Sequence, residues 1–259
     1  MLLRCLCSIF LCAAVALPLT LRPVKAQEAV DVALVLLADG SGSIDPDEFR
    51  MQREGYAEAL MSPQVLSAIR SNARQKIGVL FVEWGAPESQ EVVVDWTLID
   101  GEPAARAVAA RLRTHPKQTY GYNSISNAIT FALERIAAAP MKGDRTVIDV
   151  SGDGPNIGGA PIETARRAAL EQGITINALA VRVPGSSVAL SLGMPLEDYY
   201  RDNVIGGPGA FVETADGRER FAEAIRNKLV LELAEAGRGR AILASHQLGP
   251  EQEEERAGR

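Results

Sequence analysis

Val32-Ala33-Leu34-Val35-Leu36-Leu37-Ala38 runs directly into Asp39-Gly40-Ser41-Gly42-Ser43. An apolar run without polar alternation is the pattern of a strand buried on both faces, as in a parallel sheet covered by helices on either side. The Gly-, Ser- and Asp-rich stretch then stops the strand. A helix is expected next, because Asp45-Pro46-Asp47-Glu48 supplies an N-cap, a proline at N1 and an acid at N3. Phe49, Tyr56 and Leu60 fall on one face of that helix.

The alternation continues outward from this unit. Ile77–Trp84 reads as a second strand and Val92–Thr97 as a third. The Gly85/Pro87 turn between them is too short for a crossover helix, so the two should form an antiparallel hairpin with the third strand at an edge. Ala104–Leu112 reads as a helix, followed by a loop from His115 to Tyr122. Ile125, Ile129, Ala132 and Ile136 give the next helix its buried stripe. Then come a strand at Thr146–Val150, a helix at Pro161–Gln172 stopped by Gly173, and a strand at Thr175–Val183. A short helix at Leu196–Val204, a break at Gly206–Gly209, a strand at Ala210–Thr214 and a helix through Phe221, Ile225 and Leu229 close the series. The implied fold is α/β: a doubly wound, mostly parallel, Rossmann-like sheet of about six strands, one an antiparallel edge, with helices on both faces.

Composition bounds the functions. The chain has 259 residues, 47% hydrophobic and 23% charged, which suits a globular domain and excludes wholesale disorder. Residues 1–26 hold three basic side chains (Arg4, Arg22, Lys25) and no acid, leaving 24 basic against 33 acidic groups in the remainder, a net of −9. That balance disfavours nucleic acid as a partner. A basic start, an apolar run from Cys5 to Leu21 and Val24-Lys25-Ala26 read as a secretory signal at residues 1–26, with a membrane attachment only if it stays uncleaved. All three cysteines lie in that leader, so the exported domain would hold itself together without disulfides. The domain should span 28–236, and residues 237–259 form a polar tail.

Chemistry concentrates at strand ends. In an open α/β sheet, ligands bind beyond the carboxyl ends of the strands where strand order reverses. Asp39, Ser41 and Ser43 follow the first strand, while Ser151-Gly152-Asp153-Gly154 follows Thr146–Val150. If the two strands are neighbours, both carboxylates converge, and Tyr122-Asn123-Ser124 opens the intervening helix nearby. Such an oxygen-only set suits a hard divalent cation: magnesium, with calcium or manganese as alternatives.

This arrangement resembles the von Willebrand factor type A domain with its metal-ion-dependent adhesion site, and within that superfamily a bacterial group of secreted proteins of unknown function. The resemblance extends over about residues 30–235. It implies metal ligation through Ser41 and Ser43, a third ligand from a middle loop, and Asp39 and Asp153 acting mostly through water. The family has threonine at the third position; its spacing to Ile125 and Ala128 puts Asn123 there, with Ser124 as the alternative. The resemblance also implies an open metal position for an acidic side chain of a partner protein. The function expected is thus an exported, periplasmic or secreted, non-enzymatic binding module for cation-dependent protein–protein interaction. The alternative is a metal-dependent hydrolase or phosphotransfer enzyme using Asp39, although Ser41 stands where phosphoaspartate enzymes of this architecture carry a second aspartate.

The remaining conspicuous residues have plainer readings. His115 and His246 read as solvated side chains, which leaves no triad histidine. Tyr120 and Tyr122 could rim the crevice or pack against the sheet end, and Trp84 and Trp96 should pack across the hairpin. Neither glycine-rich loop has a phosphate-loop lysine or the dinucleotide register.

Overall fold

The computed structural model describes residues 26–182, 193–217 and 220–234. The expected leader up to Lys25, the tail at 237–259 and His246 lie outside the described residues. The chain order is β1 (Glu28–Asp39), α1 (Pro46–Met61), α2 (Pro63–Arg70), β2 (Ile77–Trp84), β3 (Gln90–Ile99), α3 (Glu102–Thr114), α4 (Ile125–Ala137), β4 (Met141–Gly152), α5 (Ile162–Glu171), β5 (Thr175–Arg182), α6 (Leu196–Tyr199) running into a π-helical turn (Tyr200–Val204), β6 (Val212–Asp216) and α7 (Phe221–Leu233).

The strands form one six-stranded sheet in the order β3-β2-β1-β4-β5-β6. Every pairing is parallel except β2 with β3, the hairpin read from the sequence. β1 is central because its side chains are apolar on both faces. Val32, Leu34, Leu36 and Ala38 enter one core with residues of α1, α2, α3 and α7. Val35 and Leu37 enter the other, with residues of α4, α5 and the α6 segment. This period of two splits one apolar run between two helix layers. Strand order reverses between β1 and β4, so the crevice at their carboxyl ends is the topological switch point.

Local signals explain the boundaries. Asp45 caps α1, its side chain accepting from the Asp47 and Glu48 amides, while the Glu48 side chain accepts from the Asp45 amide. Gly173, with φ +71°, ends the α5 turn as expected. Three expectations need correction. The sequence reading passed over α2, which Ser62 caps through its side chain and Pro63 begins. The Leu196–Val204 helix divides into α6 and the π-helical turn. The last strand starts two residues later than expected, after the glycine-rich break, because Phe211 N–H is taken by the Asn177 side chain. Among the described residues, no helix is long and apolar enough to cross a membrane.

Candidate metal centre

The register of the two central strands builds the site. Ala38 lies beside Ser151, so Asp39, the last residue of β1, faces Gly152, the last of β4, and Asp153 emerges next to it. Only glycine fits at 152, since an added Cβ would lie 2.7 Å from the Tyr200 hydroxyl and 3.2 Å from Asp39 Oδ2. The Asp39 carboxylate turns onto the following loop and accepts from Ser41 N–H at 2.8 Å. The Ser41 and Ser43 hydroxyls are 3.0 Å apart, and Ser43 Oγ donates to Asp153 Oδ1 at 3.4 Å. Asn123 Nδ2 donates to Asp39 Oδ2 at 3.4 Å. All five side chains singled out by the sequence therefore meet in one polar cluster.

Ser124 does not join it. Its hydroxyl donates to Gly158 O at 2.9 Å and Asn127 Oδ1 at 3.1 Å, tying the start of α4 to the β4–α5 loop. The same loop grips Asn123 from behind, with Ile157 and Gly158 N–H both donating to Asn123 O. Asn123 is thereby aimed at Asp39 while Ser124 is spent on the scaffold.

Several supports escaped the sequence reading. Gln52 Nε2 donates to Asp39 O, Thr119 Oγ1 to Gly40 O, and Lys117 Nζ to Ser41 O and Ile44 O. Tyr200 donates its buried hydroxyl to Gly154 O at 3.0 Å, holding the loop after β4. The Arg53 guanidinium forms a buried, two-pronged pair with Glu83 and reaches the carbonyls of Leu112 and His115. That clamp fixes the segment carrying Lys117 and Thr119. His115 is not solvated, as expected from its polar loop, but sits against Glu91 with Nε2···Oε1 at 2.8 Å. Trp84 does not pack across the hairpin on Trp96; it lies fully buried beneath the site, near Gly152, while Trp96 donates to Arg135 O beside α4. Each of these contacts joins residues distant in sequence, so no local pattern announces it.

Electrostatics sets the cluster apart. Asp39 is 1% exposed, and its carboxyl is pushed up to about 7, first by burial and then by the neighbouring Asp153 charge; hydrogen bonds from Ser41 and the Asp153 backbone only partly oppose this. Among the described residues, neither aspartate has a Lys, Arg or His ion-pair partner. Nor do the described residues gather three or more His, Cys, Asp or Glu in one place. Two carboxylates with hydroxyls and a carboxamide, and no soft sulfur or imidazole, form a donor set for a hard cation.

The model of the family described as "Protein of unknown function (DUF1194)" matches residues 29–237. The chain belongs to this family. No curated protein matches the sequence. Among solved structures, proximal thread matrix protein 1 from the mussel byssus, with a zinc-occupied MIDAS motif, is 15% identical with a TM-score of 0.57, over 80% of this chain and 50% of its own. The pilus adhesin SpaC from Lactobacillus rhamnosus GG is 14% identical with a TM-score of 0.56, over 79% of this chain and 31% of its own. A von Willebrand factor type A structure from Catenulispora acidiphila is 14% identical with a TM-score of 0.49, over 78% of this chain and 42% of its own. The chain thus spans half or less of the length of these structures. At such identities the likeness is one of fold, the doubly wound α/β sheet that the sequence implied and that the byssus protein and the adhesin share.

Proposed function

We propose that this protein is an exported, non-enzymatic binding module whose crevice at the ends of β1 and β4 holds one divalent cation, magnesium in the first instance, for cation-dependent adhesion to a partner protein. Ser41, Ser43 and Asn123 would be its direct ligands, with Asp39 and Asp153 acting through water. The cation would supply an electrophilic position to be completed by an acidic side chain of the partner. The observation that carries this reading is the Asp39–Asp153 pair, two carboxylates drawn together at a strand-order reversal with no cationic side chain among the described residues between them. The neutral ligands leave a dication under-neutralised, which favours an anionic partner. Asn123 would ligate through Oδ1, which a rotation of its amide exchanges with the nitrogen now facing Asp39. The working unit would be residues 28–236, periplasmic or secreted after removal of the first 26 residues. The zinc-occupied motif of the byssus protein supports a metal reading of this fold without choosing the ion. An Asp39-based hydrolase is the poorer reading, because both Asp39 carboxylate oxygens are engaged by Ser41 and Asn123.

The test is calorimetric titration and thermal unfolding with magnesium, calcium and manganese. Saturation at about 100 times the dissociation constant should stabilise the fold by about 2.7 kcal/mol. The gain should vanish with EDTA and in Asp39→Ala. Absence of any ion-dependent heat or stabilisation, or an undiminished response in Asp39→Ala, would overturn the proposal.

A further inference from the structure

The rim of the crevice is apolar in a way the cation does not require. Tyr122 is 77% exposed, Ile157 60% and Tyr120 57%, and these are three of the four exposed large apolar side chains among the described residues. Tyr122 immediately precedes Asn123, and Ile157 N–H donates to Asn123 O, so the two flank the proposed third ligand. Their backbone is pinned. Gly42 N–H donates to Gly121 O, Ala86 N–H to Tyr120 O, and Tyr120 N–H to Ser89 Oγ at 3.0 Å. Exposed tyrosines on a fixed loop are pre-organised contact area, costing little side-chain entropy on binding. Beside them Lys117, anchored on Ser41 O and Ile44 O, adds positive charge to the mouth of a domain that is otherwise strongly acidic. Exposed aromatic and aliphatic side chains grouped beside a polar crevice mark a surface for a protein partner, and a free small carboxylate would leave them uncovered.

We infer that the occupant of this rim is a polypeptide segment whose acidic side chain is bordered by apolar ones, the acid directed to the cation and its neighbours seated on Tyr122 and Ile157. This rests on the cation reading above. The lysine and the proposed dication select for the acid, and the exposed tyrosine and isoleucine select for what stands next to it.

Two synthetic peptides separate these contributions: a glutamate set among glycines, and the same peptide with leucine and phenylalanine on either side of the glutamate. With the full protein in saturating magnesium, the apolar-flanked peptide should bind about tenfold more tightly, a difference of about 1.4 kcal/mol. In Tyr122→Ser/Ile157→Ser that preference should fall to near unity, with thermal unfolding showing that the variant remains folded. Equal affinities in the natural protein, or a preference that survives the double substitution, would overturn the inference. If magnesium binds by calorimetry but neither peptide does, the inference fails while the cation reading stands. If magnesium does not bind, the cation reading fails and takes the inference with it. A magnesium-dependent dimer abolished by Tyr122→Ser would replace the peptide with a second copy of the chain and would likewise overturn it.

Discussion

Two pairs of carboxylates lie along β4, four residues apart, and they are compensated differently. Asp153, at the strand's end, meets Asp39 across the crevice. Asp149, inside the strand, meets Glu232 of α7 beneath the sheet, and Lys228 forms ion pairs with both. In the interior cluster Lys228 is 1% exposed and the two acids 2% each, and Asn177 Nδ2 adds a hydrogen bond to Glu232 at 3.0 Å. Burial and the Asp149 charge push Glu232 up to about 7 against the pull of Lys228. One ammonium cannot neutralise two carboxylates, so a proton completes the balance there. No ion can enter that sealed position, so the chain carries its own cation. At the crevice the way to solvent is open through the exposed Ser43 loop, and among the described residues no lysine or arginine is paired with either acid. The comparison distinguishes a carboxylate pair finished by folding from one that folding leaves to be finished by an ion.

Removing the internal cation is the harshest way to break this contrast. Lys228→Met strands two acids under α7 and should cost about 3–5 kcal/mol at neutral pH. The loss should shrink as the pH is lowered and both carboxyls take protons, and urea unfolding at two pH values measures this. Asp39→Asn should do the opposite in EDTA, modestly stabilising the protein by relieving an uncompensated buried charge. If the two substitutions act alike in EDTA, the crevice pair is internally satisfied and the distinction collapses.

The legibility of these regions in the sequence differs for the same reason. The Val32–Ala38 run, the Asp45–Glu48 cap and the helical stripe from Ile125 are local, and each marks its element. The Asp39 and Asp153 loops were legible because each ends an apolar strand and both match one family pattern; their adjacency came with the β1–β4 pairing. Asn123 is placed only through the resemblance, by the family's spacing to Ile125 and Ala128, and the backbone grip of Ile157 and Gly158 accounts for why it, and not Ser124, reaches Asp39. The interior triad left no such trace. Lys228 and Glu232, four apart on a helix, look like any solvated ion pair, and only the packing of α7 on β4 and β5 buries them. His115 likewise finds Glu91 across 24 residues, and α2 is only eight residues long, begun at Pro63 under the Ser62 cap.

The pH dependence of stability sharpens the comparison. The Glu232 carboxyl titrates near 4.5 when unfolded and at about 7 when folded. Between those values the native state binds the extra proton, so Glu232 makes stability fall as pH rises from about 4.5 to about 7, with no further loss above. The groups facing it are Lys228 from its own helix, Asp149 from β4 and Asn177 from β5, with the Tyr56 ring of α1 close to Asp149. Glu232→Gln should flatten the decline, and saturating magnesium should leave the Glu232 part intact, because that cluster takes no ion. An unchanged slope in Glu232→Gln would remove the proton from the interior balance.

The smallest expected effect discriminates most finely, because it lies between adjacent residues. Ser124→Ala removes hydrogen bonds to Gly158 O and Asn127 Oδ1 within the scaffold, which should cost about 1–2 kcal/mol while magnesium affinity stays unchanged. Asn123→Ala should cost less stability, since its side-chain bond to Asp39 is long at 3.4 Å, yet weaken magnesium binding by about tenfold, or about 1.4 kcal/mol. A thermal-unfolding series with and without the ion reads both quantities from one experiment. Were the pattern reversed, with affinity following Ser124 and stability following Asn123, the start of α4 would have to shift by one residue in the loaded protein. The carbonyl of Asn123 would then have to leave the amides of Ile157 and Gly158 that hold it, and metal binding would be coupled to movement of the β4–α5 loop.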